Sequence, residues 1–265
     1  MHHWTRRLFA IAAPLLLTGC LWGPGKFNSD LTLRKDGSFV LDYRGELVLQ
    51  IPDDQNTLPW TNAKASCEDA AGKVRACTAK EIADQKTAYE KKRGDSEQMA
   101  KMFGLPGLDD ESNRAFAAKL IKYAGWRSVT YRGRGVFDVD YHMEGRATQD
   151  FLFPALPDND LLIPFIAIRR RADGSVLVTA PAYTGGQGPL AARAGPLASR
   201  MGNMGGDMTK AGPVSRAEGR FTVITDGEIL TNNSEDGPAP HAIGRQLHWD
   251  VNSASKKIPE ALIRL

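Results

Sequence analysis

Asp138, Asp140, His142 and Glu144 stand at every second position of Val136–Glu144, with Phe137, Val139, Tyr141 and Met143 between them. Such alternation is that of a half-buried strand, so the four polar side chains share one face. Three carboxylates and an imidazole on one face are a donor set for a cation. They are equally the wet face that a half-buried strand needs in any case. Met201, Met204 and Met208 lie in a glycine-rich segment, and Met99 and Met102 precede the second helix of the reading below. Thioethers are soft donors that suit Cu(I), but no His or Cys stands beside them, and methionine also serves as a flexible packing residue. Metal binding through either group is therefore the alternative reading. Cys67 and Cys77 flank a short stretch in which Gly72 lets the chain turn back, so they form a disulfide in an oxidising compartment and are two unpaired thiols otherwise. The other histidines beyond the N-terminal pair are His241 and His248. There is no His-Glu-x-x-His helix, no Gly-x-Ser-x-Gly elbow and no phosphate-cradling Gly-x-x-x-x-Gly-Lys. A conventional hydrolase site is hard to assemble from these residues. The expectation is a protein with no catalytic residue and no cofactor, and an enzyme of unrecognised type is the weaker alternative.

The N-terminus carries the most specific signal. Arg6 and Arg7 make a short basic start, Leu8–Leu17 is an apolar run broken only by Pro14, and Leu17-Thr18-Gly19-Cys20 follows. That order is that of a secretory signal ending in small residues. The last four residues match the bacterial lipobox, and residues 1–20 resemble a lipoprotein signal peptide. The resemblance implies cleavage between Gly19 and Cys20, a diacylglyceryl group on the Cys20 thiol and usually a third acyl chain on the new amino terminus. Two or three chains anchor stably, since each buried methylene adds roughly 0.8 kcal/mol, whereas one chain binds only marginally. The apolar run itself is shorter than the about 20 residues a spanning helix needs. The other reading is an ordinary cleaved signal with an incidental cysteine. Thr5-Arg6-Arg7-Leu8-Phe9 also resembles a twin-arginine export signal, although two arginines serve a plain basic start equally well. Leu21, not an acid, follows Cys20. By resemblance to enterobacterial lipoproteins this places the protein facing the periplasm, on the outer membrane rather than the inner.

Loss of residues 1–19 leaves 246 of the 265 residues, enough to bury a sizeable core. The full chain has 34 Lys+Arg against 31 Asp+Glu, and Arg6 and Arg7 leave with the signal, so the mature net charge is about +1. That balance gives no electrostatic reason for a nucleic-acid partner. Residues 20–26, with Gly23, Pro24 and Gly25, read as a lipidated tether with Trp22 resting at the membrane interface. Residues 27–265 read as one domain.

The elements that position these residues follow from periodicity. Leu31 and Leu33, then Phe39, Leu41, Tyr43, Leu47, Leu49 and Ile51, alternate with polar residues about an Asp36-Gly37 turn, which predicts a hairpin with one buried face. Thr78-Ala79-Lys80-Glu81 is a capping box and starts a mostly polar, outward-lying helix that ends at Gly94. A second helix starts at Asp109-Asp110-Glu111, carries Phe116, Ala117, Leu120, Ile121 and Ala124 at helical spacing, closes at Gly125, and packs on the sheet. Strands are predicted at 126–132, 136–144, 161–170, 175–180, 220–225, 228–230 and 246–252, with Asp173-Gly174 and Asp226-Gly227 as further hairpin turns. Arg34–Phe39 and Arg171–Val176 look alike, as shared turn chemistry would make them. Residues 184–218, rich in Gly, Ala, Pro and Met, break the pattern and read as a flexible loop, with one loose helix over Leu190–Met204.

A hairpin, an inserted pair of helices and then many strands make an α+β fold with a largely antiparallel β-sheet. In that order, and in its lipidated N-terminus, the chain resembles LppM-type envelope lipoproteins. The resemblance is one of layout and carries no residue motif, so no functional residue comes with it. It implies a surface-associated role with possible partners in a lipid or an envelope protein, in addition to the membrane reached through the acylated N-terminus. The leading expectation is a membrane-anchored, non-enzymatic envelope or lipid-binding accessory.

Overall fold

Alternation of apolar and polar side chains turns most of this chain into strands. The structure, a computed structural model, describes residues 22–49, 60–69, 72–102, 106, 109–157, 164–184, 186–187, 214–215 and 217–265. Strands β1 (Trp22–Leu33) and β2 (Ser38–Leu49) form the expected hairpin, with Leu31 opposite Leu41 and Leu33 opposite Phe39. Its turn is closed by Gly37 N–H to the Arg34 carbonyl and Arg34 N–H to the Ser38 carbonyl, both at 2.9 Å. Of its residues only Gly37, at φ 82°, takes a positive angle, as in a three-residue loop that ends on a left-handed glycine.

The first strand starts earlier than the sequence predicts. Trp22 pairs with Leu49, Gly23 with Val48 and Pro24 with Leu47, so residues 22–26 belong to the sheet and are not a tether. Trp22 is only 4% exposed and stacks on Phe116 at 5.4 Å. Phe116, Phe137 and Leu49 give the indole a dry socket, which displaces it from the interfacial position expected of it.

A 3-10 turn (Asn62–Lys64) leads to a small ribbon, β3 (Cys67–Glu68) with β4 (Val74–Arg75), and then to helices α1 (Ala79–Met102) and α2 (Asp110–Leu120). After these come β5 (Trp126–Gly133), β6 (Val136–Arg146), β7 (Phe151–Phe153), β8 (Ile166–Arg170), β9 (Ser175–Thr179), β10 (Gly186–Gln187) and β11 (Val214–Ser215). The chain ends with β12 (Glu218–Thr225), β13 (Glu228–Asn232), β14 (Ala239–His241), β15 (Gly244–Val251) and β16 (Glu260–Arg264). The large sheet has the order β14-β15-β12-β1-β2-β6-β5, and a second sheet has the order β13-β16-β9-β8-β7. Pairing is antiparallel except between β1 and β12, which run parallel from Lys26–Glu218 to Leu33–Thr225. The fold class is thus α+β and largely antiparallel, with one parallel pair the periodicity does not reveal.

The inner faces of the two sheets meet in one hydrophobic core. Rings join them directly: Tyr43 to Phe153 at 5.0 Å, Tyr141 to Phe153 at 4.5 Å and Phe39 to Phe151 at 4.9 Å. Helix α2 covers the β5 side of the large sheet with Phe116, Ala117 and Leu120. Its start is capped by Asp109, whose Oδ1 accepts the Ser112 N–H at 2.8 Å.

Two local expectations change. Asp226-Gly227 joins β12 of the large sheet to β13 of the small one, so it is a crossover and not a hairpin turn. Asp226 Oδ1 accepts the Lys35 N–H at 2.7 Å, which ties the crossover to the first hairpin. Helix α1 passes through Gly94 and runs to Met102. An interior glycine costs a helix only about 1 kcal/mol, and the Arg93–Glu97 pair at 3.1 Å spans the position.

Candidate functional site

Cys20 and Gly19 lie outside the described residues. The described chain starts two residues later, at the end of the sandwich where Trp22 enters the core. Leu49, opposite Trp22, donates its N–H to the Gly135 carbonyl at 2.7 Å. This brings the β5–β6 turn to the same end. Gly133 pairs with Val136, leaving Arg134 and Gly135 as a two-residue turn. Their φ angles are 52° and 72°, the left-handed pair that such a tight hairpin requires. A Cβ on Gly135 would meet the Leu49 carbonyl oxygen at 2.9 Å. Glycine is therefore needed there both for conformation and for room.

The row Asp138, Asp140, His142 and Glu144 does lie on one face of β6, and the register brings basic partners to it. Arg44 is opposite Asp140 and Asp42 is opposite His142. Arg132 binds Asp138, Arg44 approaches Asp140 at 3.4 Å, and Arg127 approaches Asp42 at 3.9 Å. The His142 ring reaches Asp42 through Nδ1 at 2.8 Å and Glu144 through Nε2 at 3.3 Å. The arginine–carboxylate contacts are ion pairs of a partly exposed face, each worth about 1 kcal/mol or less, and His142 links Asp42 and Glu144 by hydrogen bonds. Among the described residues no three His, Cys, Asp or Glu side chains gather as a metal set. Met201, Met204 and Met208 fall outside the described residues. His248 is paired with Asp236 at 3.0 Å, and the His241 ring accepts the Ile243 N–H at 3.2 Å. His248 and His142 are four strand spacings apart, about 19 Å, so the histidines do not converge.

Cys67 and Cys77 are joined as a disulfide, with Cα atoms 5.3 Å apart. The ribbon between them turns at Gly72, φ 79°, and its Glu68, Asp69, Lys73 and Arg75 are exposed. The cysteine loop thus contains a minimal β pair, Cys67 opposite Arg75. Helix α1 docks on this loop. Its capping box forms, with Thr78 N–H donating to Glu81 at 2.8 Å and Glu81 N–H to the Thr78 hydroxyl at 3.3 Å. The Arg75 guanidinium also binds Glu81, and together with Thr78 it holds that carboxyl down to about 2. Gln85 exchanges hydrogen bonds with the Ser66 backbone at 3.2 and 3.0 Å. Lys64 donates to the Tyr89 hydroxyl at 2.8 Å, and Trp60 lies 5.4 Å from the same ring.

The interior holds polar groups that the sequence reading did not single out. Ser29, Tyr183 and Thr184 are buried, and among the described residues none of their side-chain oxygens has a partner in hydrogen-bond geometry. The Tyr183 hydroxyl is turned toward Ser29, and burial drives its phenol pKa far up. Around it Phe27 stacks at 4.2 Å and Phe221 stands edge-on at 5.4 Å. The signal available was the parity of Ser29, which falls between Phe27 and Leu31 on the inward side of β1. Tyr183, which faces it, comes from more than a hundred residues further along the chain and leaves no such trace.

No protein-family model matches this chain, and no curated protein matches it. Among the described residues no helix is long and apolar enough to cross a membrane.

Proposed function

We propose that this chain is a lipid-anchored envelope protein facing the periplasm, with a non-enzymatic role in contact with lipid or another envelope component. The observation that carries the reading is Leu17-Thr18-Gly19-Cys20 behind a basic and then apolar start. Two further features support it. The Cys67–Cys77 disulfide suits an oxidising compartment. The carboxylates Asp138 and Asp140 of the β6 row are paired with Arg132 and Arg44, which favours a wet sheet face over a catalytic or cation site. Metabolic labelling with a fatty acid tests the anchor. Wild-type protein takes up label and yields an N-terminal peptide starting at acylated Cys20, whereas Cys20→Ala takes up none. Equal labelling of the two proteins would remove the reading.

A further inference from the structure

The distance between the lipidated residue and the fold determines which part of the protein meets the membrane. Only Leu21 separates Cys20 from Trp22, and Trp22 is fixed in β1 and in the core. Two residues of chain span at most about 7 Å. An acyl group on Cys20 would therefore tether the end of the sandwich at which β1 begins. Leu49 is the strand neighbour of Trp22, and Gly135 is bonded to Leu49 on the far side, two strand spacings or about 10 Å away. The opposite end, at the Lys35–Gly37 turn, is a full twelve-residue strand distant, roughly 40 Å. A lipid headgroup layer is only about 5–8 Å deep. So short a connection would keep the start of β1 near the headgroups and allow the Lys35–Gly37 turn to stand away from them.

The residue displayed at the near end is unusual for its position. Arg134 is exposed and sits at φ 52° between two glycines. Tight turns of this kind prefer Asn, Asp or Gly there, because most side chains are crowded by the backbone in the left-handed region. Arg134 makes no ion pair with any described residue. Nearby Asp110 is already engaged by Arg114 at 3.7 Å and by the Tyr131 hydroxyl at 2.8 Å. A guanidinium is well shaped for two-point pairing with phosphate oxygens.

We propose that the Gly133–Gly135 turn rests on the bilayer, with the Arg134 guanidinium paired to lipid phosphate. This inference rests on acylation at Cys20, as proposed above. The test uses the full acylated protein in vesicles of phosphatidylethanolamine and phosphatidylglycerol. Arg134→Cys and, separately, Lys35→Cys are labelled with a fluorophore, and the vesicles carry a lipid with a nitroxide on its headgroup. Strong quenching at position 134 and little at position 35 is the expected result. The mass of the N-terminal peptide is read on the same samples. An unmodified Cys20 overturns the anchor and this inference together. An acylated Cys20 with equal quenching at the two positions overturns the inference alone. A second measurement leaves the turn unlabelled. Amide exchange of residues 131–136 on vesicles should be about fivefold faster in Arg134→Glu than in wild type, the effect of losing one basic residue at the surface, and alike for the two proteins on the unacylated Cys20→Ala background. Equal rates on vesicles would overturn the arginine–phosphate pairing.

Discussion

At the scale of single residues, the buried tyrosines divide into satisfied and unsatisfied ones. Burial raises the phenols of Tyr43, Tyr141 and Tyr183, that of Tyr141 to about 12, so all three stay protonated and act only as hydroxyls. Tyr43 donates to the Glu46 carbonyl at 2.7 Å. Among the described residues the Tyr183 hydroxyl has no partner in hydrogen-bond geometry. The same substitution should therefore act differently at the two sites. Tyr43→Phe should cost about 1–2 kcal/mol, because it leaves the Glu46 carbonyl short of a donor. Tyr183→Phe should be neutral or stabilising by up to about 1 kcal/mol, because it removes a desolvated hydroxyl and keeps the ring. Urea midpoints of the two variants check this, and a larger loss at Tyr183 would mean that its hydroxyl is engaged after all. Neither ranking was legible in the sequence, where both tyrosines are simply aromatic residues in apolar surroundings.

Among the elements, helix α1 is the most readily perturbed, since its described contacts go to residues 60–77 and its faces are mostly exposed. Gly94 lies within it with nothing inside 4 Å of an added Cβ and without a positive φ. Gly94→Ala should then stabilise the helix by about 1 kcal/mol, seen as slower amide exchange along α1. Its first turn should also respond to acid. The Glu81 carboxyl is held at about 2 in the folded protein, below its ordinary 4.5, first by Arg75 and then by Thr78. A depressed folded value means that the stabilisation is complete above about 4.5 and is lost as pH falls toward about 2. Titrating the Thr78 and Glu81 amides by NMR should show the cap opening in that window, and Glu81→Gln should abolish the transition. The two turns with a shared sequence behave as a pair. Ser38 donates to Asp36, and Ser175 to Asp173, through both N–H and hydroxyl, with Gly37 and Gly174 each at φ 82°. The likeness read between Arg34–Phe39 and Arg171–Val176 is thus one turn used twice, in different sheets.

For the whole molecule, the disulfide and the core secure separate parts. The Cys67–Cys77 bond closes a loop whose ends are ten residues apart, which in the chain-entropy model stabilises it by about 2.8 kcal/mol. That loop carries α1, whereas the sandwich is held by a core running from Trp22 through Phe153 to Ile263. Reduction should therefore speed amide exchange in residues 60–77 and the first turns of α1 and leave β1, β2 and β9 unchanged. Core tryptophan fluorescence should show a melting temperature lowered by a few degrees at most. Equal acceleration in the sandwich strands would show that the loop and the core unfold together. The charged outer face of the large sheet also belongs to this scale. Arg44 and Asp140, and Arg127 and Asp42, are distant in sequence and are brought together by strand pairing, whereas Arg132 and Asp138 face each other across the local β5–β6 hairpin.

What the sequence determined by itself is what short-range physics decides. The Asp-Gly turn of the first hairpin, the Thr78–Glu81 capping box, the Asp109 start of α2, the inward parity of Leu31, Leu41 and Phe137, and the pairing of two nearby cysteines all depend on residues within about ten positions of each other. Their energies do not require knowledge of the rest of the chain. Tertiary structure decided the remainder. Asp226-Gly227 has the letters of a hairpin turn, but the strand after it finds a better partner in β16 than in β12. Trp22 reads as part of a tether until Phe116 and Phe137, about a hundred residues away, supply its socket. Asp140 reads as a donor for a cation until β2, almost a hundred residues earlier, brings Arg44 to it. In each case the deciding partner is remote in sequence, and only the folded chain puts it within reach.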